Sequence, residues 1–474
     1  MKTTNRRFLI FSLATISSLG IRAFGEPSPT PQGAVMVEAV GEKETKWKPR
    51  PTRPLDSWPG ASQLATDSGL NKFGGRFSGK HQATGFFRVE KIGGRWWLID
   101  PEGGEFFHCA VAGVRPLAGS RAQGVLQKKF GSDKAWGDST AALLKKYGFV
   151  GTGAWSADAL LAPAPVRPVY TKIWNFIAKF GVKHAGARMG TGHTNFPNKC
   201  VPVFDPEFEK FCEEEAKQLA AFRDDPWLLG HFSDNELTFV RGTLKNYLEL
   251  PEDNSGYIAS WAWLRERYGA EAKAGQVNAK DEADFLTLVV DRYYRIVSAA
   301  IRRNDPNHLF LGSRFYGPDR RTAEIFRASG PYLDIVSMNW YNTWTPLPET
   351  IEMWAKESGR PVIITEFYAK GQDSGLANTS GAGFLVRTQK DRGLFYENFT
   401  IALLQSKNCV GWHWFRYADN EPGTGLEDAS NRDANKGIVN ADYEPYNELL
   451  DRMKPVNERV YSLIDYFDKG GGAN

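Results

Sequence analysis

Two glutamates stand where a pair of carboxylates could do chemistry together. One closes the run LLGHFSDNEL as Asn235-Glu236, and the other closes PVIITEF as Glu366. A glycosidic bond needs such a pair. One carboxyl, kept protonated by its surroundings, protonates the departing oxygen, while the other attacks the anomeric carbon or activates water. Either glutamate alone reads first as a helix cap or ion-pair partner, and only the two together carry this chemistry.

Aromatic and polar residues recur at comparable places. Trp155, Trp174, Trp340, Trp344, Trp412 and Trp414 sit at or just beyond the ends of apolar runs. Indole faces stack on the apolar faces of sugar rings when they are not filling a core, and half of these six are expected to be core. Val410, Trp412 and Trp414 share a face by the strand period of two, which makes Trp414 the preferred sugar platform and Trp412 its neighbour. Arg314 ends another run and is expected to bind a sugar hydroxyl, to lower the pKa of Glu366, or to form a structural ion pair. His193 and Asn195 lie in a Gly-rich loop of the kind that carries specificity.

Other catalytic classes fail on their motifs. Gly74 to Lys80 has P-loop spacing, but His81 replaces the magnesium-binding Ser or Thr and no buried strand precedes it. There is no dinucleotide fingerprint, nucleophile elbow or H-E-x-x-H helix. The 7 histidines form no closely spaced pair, so neither a metal nor a cofactor is expected.

The elements that must carry these residues are read from periodicity. Strand-like runs occupy Phe106 to Ala112, Phe149 to Trp155, Val166 to Trp174, Leu228 to Ser233, Leu309 to Phe315, Leu333 to Trp340, Pro361 to Phe367 and Val410 to Phe415. Between them lie helical stretches such as Glu207 to Phe222, Phe285 to Arg302 and Gly393 to Gln405. Strand–helix alternation over eight units predicts an α/β fold, a (β/α)8 TIM barrel, with an open parallel sheet as the rival. In such a barrel chemistry sits at the carboxyl ends of the strands. Glu236 follows the fourth run and Glu366 the seventh, so opposed strands can bring both to one mouth.

These motifs resemble those of clan A of the retaining glycoside hydrolases, which carries Asn-Glu after strand four and Glu after strand seven. The resemblance implies that Asn235 holds a sugar 2-hydroxyl, Glu236 is the general acid/base and Glu366 the nucleophile. It also implies that Tyr341 donates a hydrogen bond to that nucleophile. From about residue 84 to 445 the chain resembles the agarase-like glycoside hydrolase family 50, on the phrases RWWLIDPEGGEFFH, GHFSDNEL, LFLGSRF, YLDIVSMNWYN, VIITEFYAKG and GWHWFRYADNEP. The agarases of this family carry a substantial amino-terminal β-domain where this chain has a short arm.

Composition agrees with a large folded core: 42% of residues are hydrophobic and 13% aromatic. The net charge of +4 belongs to the first 25 residues, where Lys2, Arg6, Arg7 and Arg22 face no acid, leaving 55 basic against 55 acidic residues elsewhere. No positive field then remains to attract nucleic acid or an anionic membrane. Residues 1–25 read as an export signal. It has a twin-arginine start, an apolar stretch from Phe8 to Ile21 that is too short to span a bilayer, and a small-x-small end at Ala23-Phe24-Gly25. A periplasmic or extracellular location follows, with no stable membrane anchor after removal of the signal.

Residues 26–83 read as a Pro-rich arm or linker, 84–468 as a catalytic barrel opened by a β-hairpin, and 469–474 as a tail. The four cysteines show no metal spacing and read as buried thiols. In a closed barrel, however, Cys109 and Cys409 fall on neighbouring strands, which leaves a disulfide open. The expected function is hydrolysis of a β-linked polysaccharide or oligosaccharide, agarose-like galactan first. The alternatives are another clan A activity (β-galactosidase, β-glucanase or mannanase, transglycosylase) or a carbohydrate-binding barrel without catalysis.

Overall fold

The computed structural model describes residues 33–425 and 431–471, apart from Ser78, Lys80 and Thr191. The expected export signal lies outside the described residues. Eight parallel strands form one sheet: β1 (His108–Ala112), β2 (Gly151–Thr152), β3 (Val169–Ile173), β4 (Leu228–Phe232), β5 (Leu309–Gly312), β6 (Val336–Asn339), β7 (Val362–Glu366) and β8 (Cys409–Phe415). Their order is β5-β4-β3-β2-β1-β8-β7-β6. Phe315, just beyond β5, bridges Met338 of β6 in parallel, and its amide donates to the Ser337 carbonyl at 2.9 Å. The ring closes there, and the fold is the expected (β/α)8 barrel.

The helices follow from apolar periodicity and capping. Ala279–Asn304 begins at Asn278, whose side chain accepts from the amides of Lys280 and Asp281 while Asp281 reaches back to the Asn278 amide. Its buried face runs through Phe285, Val289, Tyr293, Ile296 and Val297 at helical spacing. Gln389–Gln405 has a similar reciprocal cap between Thr388 and Asp391.

One apolar cluster joins Val169, Leu229, Leu309, Leu311, Ile363 and Val410. These residues come from β3, β4, β5, β7 and β8, and only the interior of a closed barrel brings such strands together. Phe73, Phe87, Leu98 and Phe106 belong to the same cluster. The last two sit in an antiparallel sheet of Arg88–Ile92, Arg95–Ile99 and Glu105–Phe106, which plugs the barrel beneath its strand amino termini. Its first turn is Gly93-Gly94, with φ of 57° and 84° at both central residues, the geometry of a two-residue hairpin that favours glycine.

The period-two reading of the last strand breaks at a bulge. Val362 pairs with Cys409 and Ile363 with Gly411, so Val410 falls out of register. Val410 therefore joins the interior cluster, while Trp412 and Trp414 pack outward among the helices. The disulfide left open by the sequence is not formed: all four cysteines are free and buried. The Cys109 thiol donates to Asn457 Oδ1 at 3.2 Å and that of Cys409 to the Gly411 carbonyl at 3.4 Å.

Within the Pro-rich arm, Val35–Val40 and Lys48–Thr52 form an antiparallel hairpin that joins Phe384–Val386 and Ala369–Gly371 in a four-stranded sheet. Trp344 Nε1 donates to the Pro51 carbonyl and to Thr52 Oγ1, both at 3.1 Å. The hairpin is thereby fastened to the loops that follow β6 and β7. Among the described residues no helix is long and apolar enough to cross a membrane.

Candidate active site

The site is built at the carboxyl ends of β4 to β7. Beyond β4, the buried carboxyl of Asp234 accepts from the amides of Ile177 and Ala178, at 3.2 and 3.0 Å, and from the Tyr293 hydroxyl at 2.6 Å. Those amides open the helix Phe176–His184, whose amino terminus favours a carboxylate. Burial nevertheless pushes the Asp234 carboxyl up to about 7. This clamp holds the chain as it turns into Asn235 and Glu236.

Glu236, Arg314 and Trp155 each adopt a left-handed backbone, with φ of 51°, 55° and 61°. For residues with a side chain that conformation costs on the order of 1–3 kcal/mol each, and it is tolerated where the surroundings over-determine it. Here the Glu236 amide donates to the Ser313 carbonyl at 3.0 Å, and the Arg314 amide to Ser337 Oγ at 3.0 Å.

The side chains form one connected set. Arg314 donates from Nε to Asn235 Oδ1 at 2.8 Å and from Nη2 to Glu366 Oε1. The Tyr341 hydroxyl donates to Glu366 Oε2. Asn339 Nδ2 donates to Glu236 Oε1 at 2.7 Å and to Asn235 Oδ1 at 3.3 Å, and its own Oδ1 accepts from Thr365 Oγ1 at 2.7 Å. Asn235 Nδ2 donates to the Gly192 carbonyl at 2.5 Å, tying the loop after β3 to the site. In that loop His193 Nδ1 stands 2.9 Å from Glu236 Oε2.

Burial raises the Glu366 carboxyl above its ordinary range; the Arg314 charge opposes this, the negative charge of Glu236 adds to it, and the Tyr341 hydrogen bond lowers it. Tyr341 is pushed well above the usual phenol range, first by burial and then by the Glu366 charge, so it remains a donor.

Two expected residues do not belong to the mouth. Trp414 is fully buried and donates its indole N–H to the Lys436 carbonyl at 2.9 Å. Trp412 is likewise buried and donates to the Tyr396 hydroxyl at 2.7 Å. Neither presents a face to a sugar, because the β8 bulge turns both toward the helical layer. Trp174, Trp340 and Trp344 are buried as well. Trp155 alone of the six is half-buried, with the Arg314 guanidinium 4.4 Å from its ring centre and Phe415 edge-on at 5.9 Å. Asn195 is exposed on a two-stranded ribbon, paired in register with Arg188.

Sequence reasoning missed Asn339, Thr365, Tyr316, Tyr368 and Phe415. Tyr316 and Tyr368 place their ring centres 6.0 and 5.3 Å from Tyr341, and Phe415 lies 6.3 Å from Tyr368. Asn339 carried a usable signal, as an amide ending the apolar run DIVSMN two residues before Tyr341.

Of the described residues, His231, Asp305 and His308 gather closely enough to suggest a metal centre, their ligand atoms lying within 4.8 Å of one another. Each ring nitrogen is already engaged. Trp174 Nε1 donates to His231 Nδ1 at 3.0 Å, His231 Nε2 and His308 Nδ1 each lie 2.8 Å from Asp305 Oδ2, and His308 Nε2 lies 2.9 Å from the Asp225 carbonyl. The group is a buried hydrogen-bond network bracing β4 against the entry to β5.

No family model matches the chain. It is 27% identical over 500 aligned residues to Beta-agarase B of Vibrio sp. (strain JT0107), a match covering 83% of this chain and 50% of that protein. The chain thus spans about half the length of this curated relative. Among solved structures it resembles BpGH50, with a TM-score of 0.80 and 30% identity, covering 94% of this chain and 98% of the other. It also resembles the agarase AgWH50C, with a TM-score of 0.70 and 25% identity over 84% of this chain and 67% of that one. With the same barrel and nearly a third of residues shared across almost all of both chains, this protein belongs to glycoside hydrolase family 50.

Proposed function

We propose that the protein is a retaining glycoside hydrolase that cleaves β-glycosidic bonds in an agarose-like galactan, acting outside the cytoplasm after export through the leader in residues 1–25. The observation that carries this reading is the unequal treatment of two neighbouring carboxyls. Glu366 takes hydrogen bonds from a guanidinium and a phenol, which favour its ionised form, whereas Glu236 takes one amide N–H and stands beside His193 in the loop after β3.

The roles follow. The Glu366 carboxylate attacks the anomeric carbon as the bond to the leaving oxygen breaks, and the Glu236 proton passes to that oxygen. Water then attacks the same carbon, giving its proton to the Glu236 carboxylate and releasing Glu366. Asn235, fixed by Arg314 and by the Gly192 carbonyl, holds the sugar next to the bond being cleaved, and Trp155 and Phe415 offer the half-buried aromatic surface on which a ring can rest. The choice of galactan rests on the agarase relatives.

The test is a panel of agarose, porphyran, carrageenan, unsubstituted galactan, glucan and mannan, with products resolved by size and the first-formed anomer read by NMR. The expected result is cleavage of agarose with the β-anomer appearing first. Activity confined to glucan or mannan would overturn the substrate, and first release of the α-anomer would overturn the mechanism.

A further inference from the structure

The amino-terminal hairpin delivers a charge to the catalytic mouth. Its turn is held by Glu44, which accepts from the Gly41 amide at 2.7 Å, from Lys48 Nζ at 2.9 Å and from Arg50. The Arg50 guanidinium in turn lies 4.6 Å from the ring centre of Phe384, in the loop after β7. With Glu44 consumed in this way, Glu42 is left exposed and directed toward the barrel, where its Oε2 accepts from Asn342 Nδ2 at 2.7 Å. Asn342 directly follows Tyr341, the donor to Glu366.

Electrostatics place Glu42 at the same mouth. Tyr316 and Tyr368 each feel the negative charge of Glu42 together with those of Glu236 and Glu366. The Lys370 ammonium feels the Glu42 charge without pairing with it. Lys370 Nζ donates to the carbonyls of Asn378, Ser380 and Gly381, and Arg320 donates to that of Tyr341 at 2.9 Å. Among the described residues no lysine or arginine forms an ion pair with Glu42.

We propose that Glu42 is a specificity-determining side chain of the cleft, accepting hydrogen bonds from hydroxyls of a neutral galactan and excluding sugars that carry sulfate at that position. The inference rests on the galactan reading above and extends it. A carboxylate accepts from hydroxyls, whereas a sulfate brought beside it meets a like charge that no lysine or arginine neutralises in an ion pair. The hairpin is thus a wall of the substrate site.

The experiment compares wild type, Glu42→Gln and Glu42→Lys on neutral agarose oligosaccharides and on 6-O-sulfated galactan oligosaccharides of equal length, reading kcat and KM separately. Wild type is expected to favour the neutral series. Glu42→Gln should narrow the preference, and Glu42→Lys should raise kcat/KM on the sulfated series by about tenfold while lowering it on the neutral series, mainly through KM. Both variants should keep the wild-type circular dichroism and Tm, because the side chain is exposed. A neutral-to-sulfated ratio unchanged within about twofold in both variants, with wild type active on the neutral series, overturns the role of Glu42 alone. A wild-type protein that turns over neither series overturns the galactan reading and this inference with it.

Discussion

Arg314 holds Glu366 with one guanidinium nitrogen and Asn235 with another, so a single buried cation beyond β5 ties the carboxyl end of β7 to that of β4. The guanidinium is planar, and its donors point in set directions, so the two acceptors are fixed relative to each other as well as to the cation. The charge and the spacing of the site therefore come from the same side chain.

Replacing either glutamate should abolish hydrolysis, and azide should separate their roles. In Glu366→Ala azide enters the vacated face and gives the α-glycosyl azide. In Glu236→Ala, on an aryl glycoside whose leaving group needs no acid, it intercepts the glycosyl-enzyme and gives the β-glycosyl azide. Full activity in either variant would refute the assignment, and NMR of the azide product distinguishes the roles.

The acid limb of the pH profile should move in opposite directions in two variants. Glu366 must be ionised to attack, so kcat/KM falls as pH drops through its raised pKa. Arg314 lowers that pKa, so Arg314→Met should shift the limb to higher pH. Glu236 raises it, so Glu236→Gln, assayed on an aryl glycoside, should shift the limb to lower pH. Limbs that stay in place would separate this titration from Glu366.

Tyr341→Phe removes one of the two hydrogen bonds to Glu366 and leaves the ring contacts with Tyr316 and Tyr368 in place. The expected outcome is a fall in kcat of about 10- to 100-fold, on the scale of one charge-assisted hydrogen bond, with KM little changed. Circular dichroism and Tm near wild type would show that the loss is chemical.

Trp414 and Trp155 should respond in opposite ways to truncation. Trp414→Ala opens a cavity against Phe367 and Tyr396 and removes one of the two hydrogen bonds to the Lys436 carbonyl, for a stability loss of about 3–5 kcal/mol. Trp155→Ala should change stability far less and raise KM for oligosaccharides, since the ring is half-buried at the mouth. Thermal denaturation together with steady-state kinetics checks both, and a soluble Trp414→Ala with wild-type Tm but weakened substrate binding would reinstate it as a platform.

Much of the barrel was legible because strands and helices announce themselves locally. Eight apolar runs bounded by turn residues and helices with reciprocal caps need only near neighbours in the chain to be recognised. The mouth of the barrel was legible for the same reason: parallel strands share one direction, so polar residues that end them collect at one rim, as Asn235, Glu236, Arg314 and Glu366 do. Asn339 was overlooked within its apolar run, although it joins both glutamate-bearing segments.

The direction of Trp412 and Trp414 was decided by the tertiary structure, since a bulge arises from how β8 pairs with β7 and leaves no mark in the period of β8 itself. The arm was decided there too. The strand Val35–Val40 of the proline-rich arm pairs with Phe384–Val386, more than 300 residues away, and Glu42 beside it meets Asn342. The sequence by itself therefore determined which residues end the barrel strands, because that depends on local pattern. Only the folded chain decided which of them meet, which turn away, and that the amino-terminal hairpin reaches the mouth, because those outcomes depend on pairing between distant segments.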